Sequence, residues 1–531
     1  MYLPPRTHRP LIMGRNGAVG SNHPMATQAG LDILRAGGNA IDAAVATALA
    51  LAVCEPSSSG LGGDGFYHVH TPAPGHDDVF NGTGTSPLAA TPEAYSSGIP
   101  NSGPRSVSVP GLLAGLGAMH KAHGSRPWAS LVQPAITLAR EGFAATWNFV
   151  RGSRENHDRL ATDPRSAQTF LGKAIGDLVT QPDLARTLDE IAADGPDTFY
   201  RGRLAARLAA ALANSGTILT QADLERTTAE TQPPIAITYR GWTIRQTPPN
   251  STGFTMPQML KIIERFDIAA ADPAQRIHLL VEAKKRAFLD RETYGADPRF
   301  EAVPLDLLLS EAHADHHAAA INPNHAATID PPALAAGGDT TYFAIVDTAG
   351  NAVSAVQSIN SGYGSGTTAG TTGILLNNRM AYWHLAPNHP NRLVPTKRVR
   401  HTMNAPMVFK DGKLALVLGT PGADNQVQVN LQVLTAILDL GADPQTALEA
   451  PRWTSSQPDQ GANYPHTGEN ILTIETDFGE PTLTALEQRG HTLARVPHLG
   501  RPCAMQAIQI LPNDIRAAAS DPRRDGWAGA F

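Results

Sequence analysis

The run from Ile41 to Val53 constrains this chain more than any other stretch. Opened by a capping Asn39 and broken only by Asp42 and Thr47, it consists of Ala, Val, Ile and Leu. A helix formed here has no face fit for water and must be covered on every side. It is too short to cross a bilayer, which takes about 20 apolar residues, so a large protein interior has to enclose it. With 531 residues, 42% hydrophobic and only 17% charged, the chain can supply that interior as one large layered domain or as two to three lobes. Aromatic residues make up just 6%, so aliphatic side chains and alanine must fill it. Wholesale disorder and a small module are both excluded.

An earlier helix takes Asn22 as cap with Pro24 in its first turn, carries Met25, Ala29 and Ile33 at four-residue spacing, and breaks at Gly37-Gly38. Strands are expected at Phe66–His70 and around Val79-Phe80. Apolar spacing predicts helices within 111–143 and 182–214, strands at Ile235–Tyr239 and Trp242–Gln246, and helices at 255–266 and 274–289. The stretch 318–338, rich in Ala, Asn, Pro and Gly, has no usable period and reads as a mobile loop. A β-hairpin follows: Thr341–Val346, a turn at 347–351, then Ala352–Ile359. Beyond a Gly-rich segment come strands at 407–409 and 414–418, a helix at 426–440, a shorter one after Pro444, and strands near Ile471 and at 506–510. Helices and strands segregate into blocks, which favours an α+β fold of stacked antiparallel sheets and helices over a doubly wound parallel sheet.

Several function classes drop out. A net charge of -6 gives no basic face for nucleic acid, and a small-molecule partner is expected instead. Cys54 and Cys503 allow one disulfide at most and fit no zinc-ligand spacing. No apolar run of signal-peptide length opens the chain, so a cytoplasmic location is expected, or a periplasmic one if a leader has been removed. The run Gly60–Gly65 matches a dinucleotide fingerprint in letters, but it follows a helix and precedes a strand, the reverse of the order that aims helix amides at a pyrophosphate. The run Gly364–Ala369 follows a strand yet opens no convincing helix. His313 and His317 stand one helical turn apart, a spacing that suits a metal. Their polar, Ala-rich surroundings read as a solvated helix end, and neither metal nor cofactor is expected.

The informative site is Gly337-Gly338-Asp339-Thr340-Thr341, where a loop meets a strand. A hydroxyl there can attack the carbonyl of the preceding peptide and move the acyl group from nitrogen to oxygen. Hydrolysis of that ester leaves Thr340 as a new amino terminus. Its α-amine, with a reference pKa near ~8, can then serve as general base for its own hydroxyl. If the hairpin is centred on Ala349, paired numbers keep a constant sum, so Asp347 faces Asn351 and Thr340 faces Ser358, with Asn360 emerging on the same face. A polar sheet face is the plainer explanation of Ser358 and Asn360. The run Gly419–Asn425 joins a buried strand to a helix, a junction whose amides can form an oxyanion hole or simply a loop.

Together these residues resemble the γ-glutamyltransferase family of amino-terminal-nucleophile hydrolases over nearly the whole chain. The likeness is carried by Leu34–Ala43, Glu55–Gly63, Val109-Pro110-Gly111, Thr340-Thr341 with 347–353, Gly373–Asn378, Gly419–Gly422, Ala450-Pro451-Arg452 and Ser520–Arg523. The resemblance implies an αββα sandwich built by two chains from one self-cleaved precursor. The large chain would be residues 1–339, ending in the mobile loop at 318–339, and the small chain residues 340–531, with scission between Asp339 and Thr340. It implies Thr340 as nucleophile of an acyl-enzyme, Ser358 as the second hydroxyl, Asn360 as the family's asparagine, and Gly422 and Ala423 at the two oxyanion-hole amides. No cofactor is implied. The expected partners are an amide substrate, a water or amine acceptor, the second chain and a dimer of such pairs.

Donor recognition departs from the family pattern. Where relatives place an arginine for the α-carboxylate, Asn81 or its neighbours stand; the glutamine and aspartate that hold the α-amine align with Arg379 and Tyr382; the Ser-Ser pair aligns with His401-Thr402. The resemblance makes γ-glutamyl compounds such as glutathione the default donors. The alternative is an amide without an α-ammonium group, such as oxamate or the acyl side chain of a β-lactam, whose carboxylate Arg379, Arg400 or His401 would face. An unprocessed, inactive binding protein is the alternative of another class.

Overall fold

Two seven-stranded antiparallel sheets lie face to face at the centre of the molecule. The structure, a computed structural model, describes residues 7–329, 339–500 and 503–531. The first sheet runs in the order Ile12–Gly14, Ile515–Ser520, Gln506–Leu511, Lys413–Gly419, Met407–Lys410, Trp242–Gln246, Ile235–Tyr239. The second runs Trp527–Ala530, Gly17–Ser21, Asp339–Asp347, Ala352–Asn360, Asp64–Thr71, His76–Gly82, Glu230–Gln232. Their facing sides interlock through Phe66, Tyr342, Ala344 and Val356 against Met407, Phe409, Val417 and Ile508. The alternation of strand side chains sends the next residues outward. Phe343, Ile345, Val353 and Ala355 meet the amino-terminal helices, while Val408, Leu416 and Leu418 meet the helices Thr255–Ile263, Pro273–Tyr294 and Gln426–Leu438. Helix layer, sheet, sheet, helix layer is the αββα sandwich that the resemblance implies.

The all-apolar helix spans Ala40–Cys54 and is buried at every residue. Asn39 caps it in a reciprocal box with Asp42, each side chain accepting the other's backbone amide, at 2.9 and 3.0 Å. The preceding helix, Pro24–Arg35, is capped by His23, whose Nδ1 accepts from the Met25 amide at 3.3 Å, and not by Asn22 as its sequence suggests. An imidazole nitrogen does here what an Asn amide oxygen does elsewhere. The stretch 318–338 also differs from expectation. A helix, Glu311–Ala319, takes its first residues. Residues 326–329 are tied to distant parts of the chain: the Ala326 amide donates to the Arg489 carbonyl at 2.7 Å, and Asn470 Nδ2 to the Ile329 carbonyl at 2.7 Å. Partners so remote in sequence leave no local signature. The rest of the loop, 330–338 with Gly337-Gly338, lies outside the described residues. Both cysteines are buried, and they are not joined in a disulfide. Among the described residues no helix is long and apolar enough to cross a membrane.

The hairpin Asp339–Asp347 and Ala352–Asn360 occupies the middle of the second sheet. The pairing keeps the expected constant sum from Val346 opposite Ala352 to Thr341 opposite Gln357; it then shifts, so that Asp339 faces Asn360. Asp347 fixes the turn. Its Oδ1 accepts the Asn351 amide at 3.0 Å, and its Oδ2 accepts both Asn351 Nδ2 at 2.8 Å and the Ala40 amide at 2.9 Å. One carboxylate thus registers the hairpin and anchors the amino terminus of the buried helix against it, where negative charge is favoured. Asp347→Ala should lower stability by about 2 kcal/mol, the scale of a buried charge-assisted hydrogen bond, and Asp347→Asn by less. Thermal unfolding beside the parent protein checks this; an unchanged melting temperature for Asp347→Ala would mean that the turn is held elsewhere.

Candidate active site

Three neighbouring strands bring their polar residues into one row. Ser358 stands opposite Asp64 of the strand Asp64–Thr71, and on its other side Thr340 Oγ1 donates to Ser358 Oγ at 3.4 Å. The pairing shift leaves Ser358 and Ile359 together opposite the single Thr340, a bulge that bends its strand and re-aims side chains. Gly63 makes room for it: a Cβ there would lie 2.4 Å from the Ser358 carbonyl oxygen. Gly63, one of the glycines that mimic a dinucleotide fingerprint, therefore serves close packing beside Thr340.

The floor of the row is charged. Arg379, in the helical turn Arg379–Tyr382, donates from Nη2 to Ser358 Oγ at 2.9 Å, brings Nε to 3.4 Å from Asp64 Oδ2, and lies 4.4 Å over the Tyr382 ring. Asp64 Oδ1 accepts the Gly84 amide at 2.8 Å, and its Oδ2 sits 3.7 Å from His401 Nε2. The Tyr382 hydroxyl and Thr402 Oγ1 are 3.2 Å apart. All of these side chains are buried. Burial by itself would push the Asp64 carboxyl up, but His401, the Arg379 charge and the Gly84 amide together hold it below the ordinary carboxylate range. Burial, reinforced by the Arg379 charge, pushes the His401 imidazole down to about 4. Near neutral pH the floor therefore holds one cation, one anion and a neutral imidazole.

Asn360 closes the row with a left-handed backbone, φ 82°, a conformation that Asn tolerates better than most residues. Its amide donates to Ser358 Oγ at 2.8 Å, and its Nδ2 donates to Asn463 Oδ1 at 2.8 Å and to the Asn378 carbonyl at 3.2 Å. Its buried Oδ1 has no hydrogen-bond partner among the described residues. Gly422 and Ala423 sit where the strand Lys413–Gly419 gives way to the helix Gln426–Leu438. Gly419 packs under Tyr342, two residues from Thr340, so closely that a Cβ would meet its ring at 2.2 Å. Gly422 (φ 129°) and Ala423 (φ 48°) both adopt left-handed backbones.

The structure thus gathers Thr340, Ser358, Asn360, Arg379, Tyr382, His401 and Thr402. Asp339 is paired through its backbone with Asn360. Asn81 is otherwise employed: its Nδ2 donates to Asn250 Oδ1 at 2.9 Å and its Oδ1 accepts from Thr83, while the Asn250 carbonyl accepts the His401 amide at 2.8 Å. Through Asn250 it buttresses His401, and both its amide nitrogen and oxygen are engaged. Arg400 is likewise engaged, paired with Glu292 at 2.6 Å. Two contributors escape a reading of the sequence, Asp64 and Arg524, whose Nη1 lies 3.3 Å from the Thr340 carbonyl oxygen. Each borders a motif of the resemblance, Gly60–Gly63 and Ser520–Arg523, and that adjacency is the only signal either gives. Three His and carboxylate clusters among the described residues are close enough to hold a metal ion, and none includes a residue of this row.

Comparison with known proteins places this geometry. The sequence profile described as Gamma-glutamyltranspeptidase matches residues 26–531. A "Glutathione hydrolase-like YwrD proenzyme" of Bacillus subtilis (strain 168) is 37% identical, with 97% of this chain and 99% of that protein covered. An "Acylase ACY 1 proenzyme" of Pseudomonas sp. (strain SE83) is also 37% identical, covering 97% of this chain and 93% of its own. Among solved structures, the cephalosporin acylase from Bacillus halodurans superposes with a TM-score of 0.91 at 34% identity, covering 100% of this chain and 98% of the other.

The buried imidazoles set a pH dependence. His401 binds its proton only below about 4 when folded, but near 6.5 in an unfolded chain. Unfolding therefore takes up a proton between these values, and stability falls as pH drops from about 6.5 toward 4. His23, His68 and His466, each pushed down to about 4 by burial, act with the same sign. His401→Gln should reduce the loss of stability between pH 7 and 4.5 by on the order of 2 kcal/mol, as measured by melting at both pH values. An identical loss in the variant would show that His401 is charged in the folded protein.

Proposed function

The chain belongs to the gamma-glutamyltranspeptidase family of enzymes, and from that premise we propose that it cuts itself between Asp339 and Thr340 and then hydrolyses or transfers the acyl group of an amide lacking an α-ammonium. The observation that carries the choice of donor is Arg379, bound at once to Ser358 and Asp64 beside Thr340.

Scission begins with Thr340 Oγ1 attacking the Asp339 carbonyl, and hydrolysis of the resulting ester frees the Thr340 α-amine. That amine then takes the proton from Thr340 Oγ1 as the hydroxyl attacks the substrate carbonyl. The oxyanion is received by the Gly422 and Ala423 amides. The departing amine accepts the proton back from the α-ammonium, and water or an amine acceptor resolves the acyl-enzyme ester by the same route. Arg379 supports this chemistry in two ways. Its positive charge close by disfavours a protonated α-amine and leaves more free base at neutral pH. It also offers a guanidinium to a carboxylate on the donor's acyl group.

A γ-glutamyl donor would instead bring an α-ammonium toward Arg379, with no carboxylate free to receive it, because Asp64 is held by Gly84 and Arg379. The similarity to a glutathione hydrolase-like protein nevertheless keeps γ-glutamyl compounds as the competing reading. On the proposed reading, a donor panel will show kcat/KM for amides of carboxylate-bearing acyl groups without an α-amine, such as glutaryl amides and oxamate itself, above that for γ-glutamyl anilide. Arg379→Gln should cut the former by about 10- to 100-fold, the worth of one charge-assisted hydrogen bond. Higher kcat/KM for the γ-glutamyl donor would return the assignment to glutathione-like substrates. Denaturing gels of fresh protein should show chains of about 36 and 20 kDa, by residue fraction of the 56.1 kDa total, the smaller beginning Thr-Thr-Tyr-Phe. Thr340→Ala should abolish both scission and turnover. A parent protein that stays a single band would favour an unprocessed binding protein.

A further inference from the structure

Away from the active site, three side chains from two helices converge in a way that hydrogen bonding alone does not satisfy. His313 and His317 lie one turn apart on the helix Glu311–Ala319, and Asp290 comes from the helix Pro273–Tyr294. Their heads form a tight triangle: His313 Nε2 lies 2.7 Å from Asp290 Oδ2, His317 Nε2 lies 3.0 Å from the same oxygen, and the two Nε2 atoms are 3.0 Å apart. A neutral imidazole nitrogen either donates or accepts, never both. If both nitrogens donate to Asp290, their N–H groups are forced together; if one donates to the other, its contact with Asp290 loses its proton. One edge of the triangle is therefore always unsatisfied. A cation capping the triangle replaces all three edges with bonds.

We propose that Asp290, His313 and His317 bind a first-row divalent transition-metal ion, with zinc as the reference case, that clamps the helix Glu311–Ala319 onto the helix Pro273–Tyr294. Ligand atoms bonded to such an ion at about 2.0–2.2 Å stand roughly 3 Å apart, close to the separations in this triangle. Two imidazoles with one carboxylate select zinc, nickel or copper over magnesium or calcium, which prefer all-oxygen sites. The three side chains are about 15% exposed (15%, 14% and 14%), so an ion can enter and keep water in its remaining positions. The outer layer is also present: Gln258 Nε2 donates to Asp290 Oδ2. Such partners orient metal ligands.

Two other clusters lack this character. In His278, Glu282 and His491, the carboxylate is already neutralised by Lys285 at 2.7 Å and Arg286 at 2.9 Å. In Glu292, His384 and His389, it is paired with Arg291 at 2.5 Å and Arg400 at 2.6 Å. Among the described residues, Asp290 is bonded by two imidazoles and an amide and is paired with no lysine or arginine.

The test uses the full-length, tag-free protein, stripped with a chelator and titrated with Zn2+ by calorimetry and with Co2+ by visible absorption. The parent protein is expected to bind with saturation, to show cobalt ligand-field bands, and to melt at higher temperature as zinc is added. The double variant His313→Ala/His317→Ala should bind one equivalent fewer and lose the bands, and Gln258→Ala should weaken zinc binding by about 10-fold. Metal-free melting curves establish that each variant is folded; where the double variant is not, His313→Gln, which keeps a polar head, takes its place and should likewise lose the equivalent. Zinc binding of equal number and affinity in parent and variant, or no saturable binding by the parent, overturns the proposal.

Discussion

The strand Ala352–Asn360 is buried at every residue, flanked by sheet neighbours on both edges and enclosed above and below by a helix layer and a second sheet. No polar group on it can turn to water, and a buried group left unpaired costs about 1–3 kcal/mol. Side chains at its end therefore turn to adjacent strands and to the loop that crosses them, although Asn360 Oδ1 and Gln357 Oε1 find no partner among the described residues. Ser358 does so by accepting from Thr340, Arg379 and the Asn360 amide; Gln357 does so by donating to Ser59 Oγ and the Ala48 carbonyl. The row at Thr340 is the polar end of these central strands, with every neighbour packed around it.

Arg379 is the expensive member of that edge. Removing a guanidinium from water costs several kcal/mol even after relaxation, and only a close counter-charge with further hydrogen bonds offsets it. Asp64 supplies the charge, and Gly84 anchors Asp64 in turn. This pairing restricts what else can enter. Two like charges 4 Å apart at an effective dielectric constant near 20 repel by about 4 kcal/mol, so a second cation is disfavoured beside Arg379. A carboxylate is attracted to Arg379, although the Asp64 charge beside it offsets part of that attraction. The neutrality of His401, which burial and Arg379 enforce, leaves the charges of this pair in balance.

The hairpin was legible in the sequence because its signals are local: alternating apolar residues on both sides of an Asp-Thr-Ala-Gly-Asn turn, with a register that follows from the turn's centre. The register carried as far as Thr341 opposite Gln357 and failed one step later, since the bulge answers to Gly63, the residue just before a third strand. The buried helix was legible for the same reason, down to its Asn39 cap. What was not legible depends on contacts between remote positions. Asp64 and Arg379 are 315 residues apart, Asn81 and Asn250 are 169 apart, and Arg400 and Glu292 are 108 apart. Composition and periodicity carry no information about such pairs. The sequence could therefore name Arg379 and Arg400 as equal candidates for a substrate carboxylate, and only packing separates them: Arg379 reaches Ser358 beside Thr340, while Arg400 is paired with Glu292. His313 and His317 show the converse, since their spacing was visible but the carboxylate that completes the triangle came from another helix.

On the reading proposed for Thr340, the same guanidinium links donor binding to base strength. Before a donor arrives, Arg379 lies near the new amino terminus and lowers its proton affinity, so the amine is ready to deprotonate the Thr340 hydroxyl. A donor carboxylate settling on Arg379 screens that charge, and the amine's pKa rises toward the unperturbed value near ~8. A stronger base takes the hydroxyl proton more completely, so activation is greatest once the acyl group is in place. After the leaving amine departs with the proton, the acyl portion and its carboxylate remain bound through the ester, and the amine keeps this strength for the water or acceptor that follows. A donor without a carboxylate would forgo the effect in both half-reactions. Arg379 therefore favours such donors in turnover as well as in binding, although it never touches the bond that breaks.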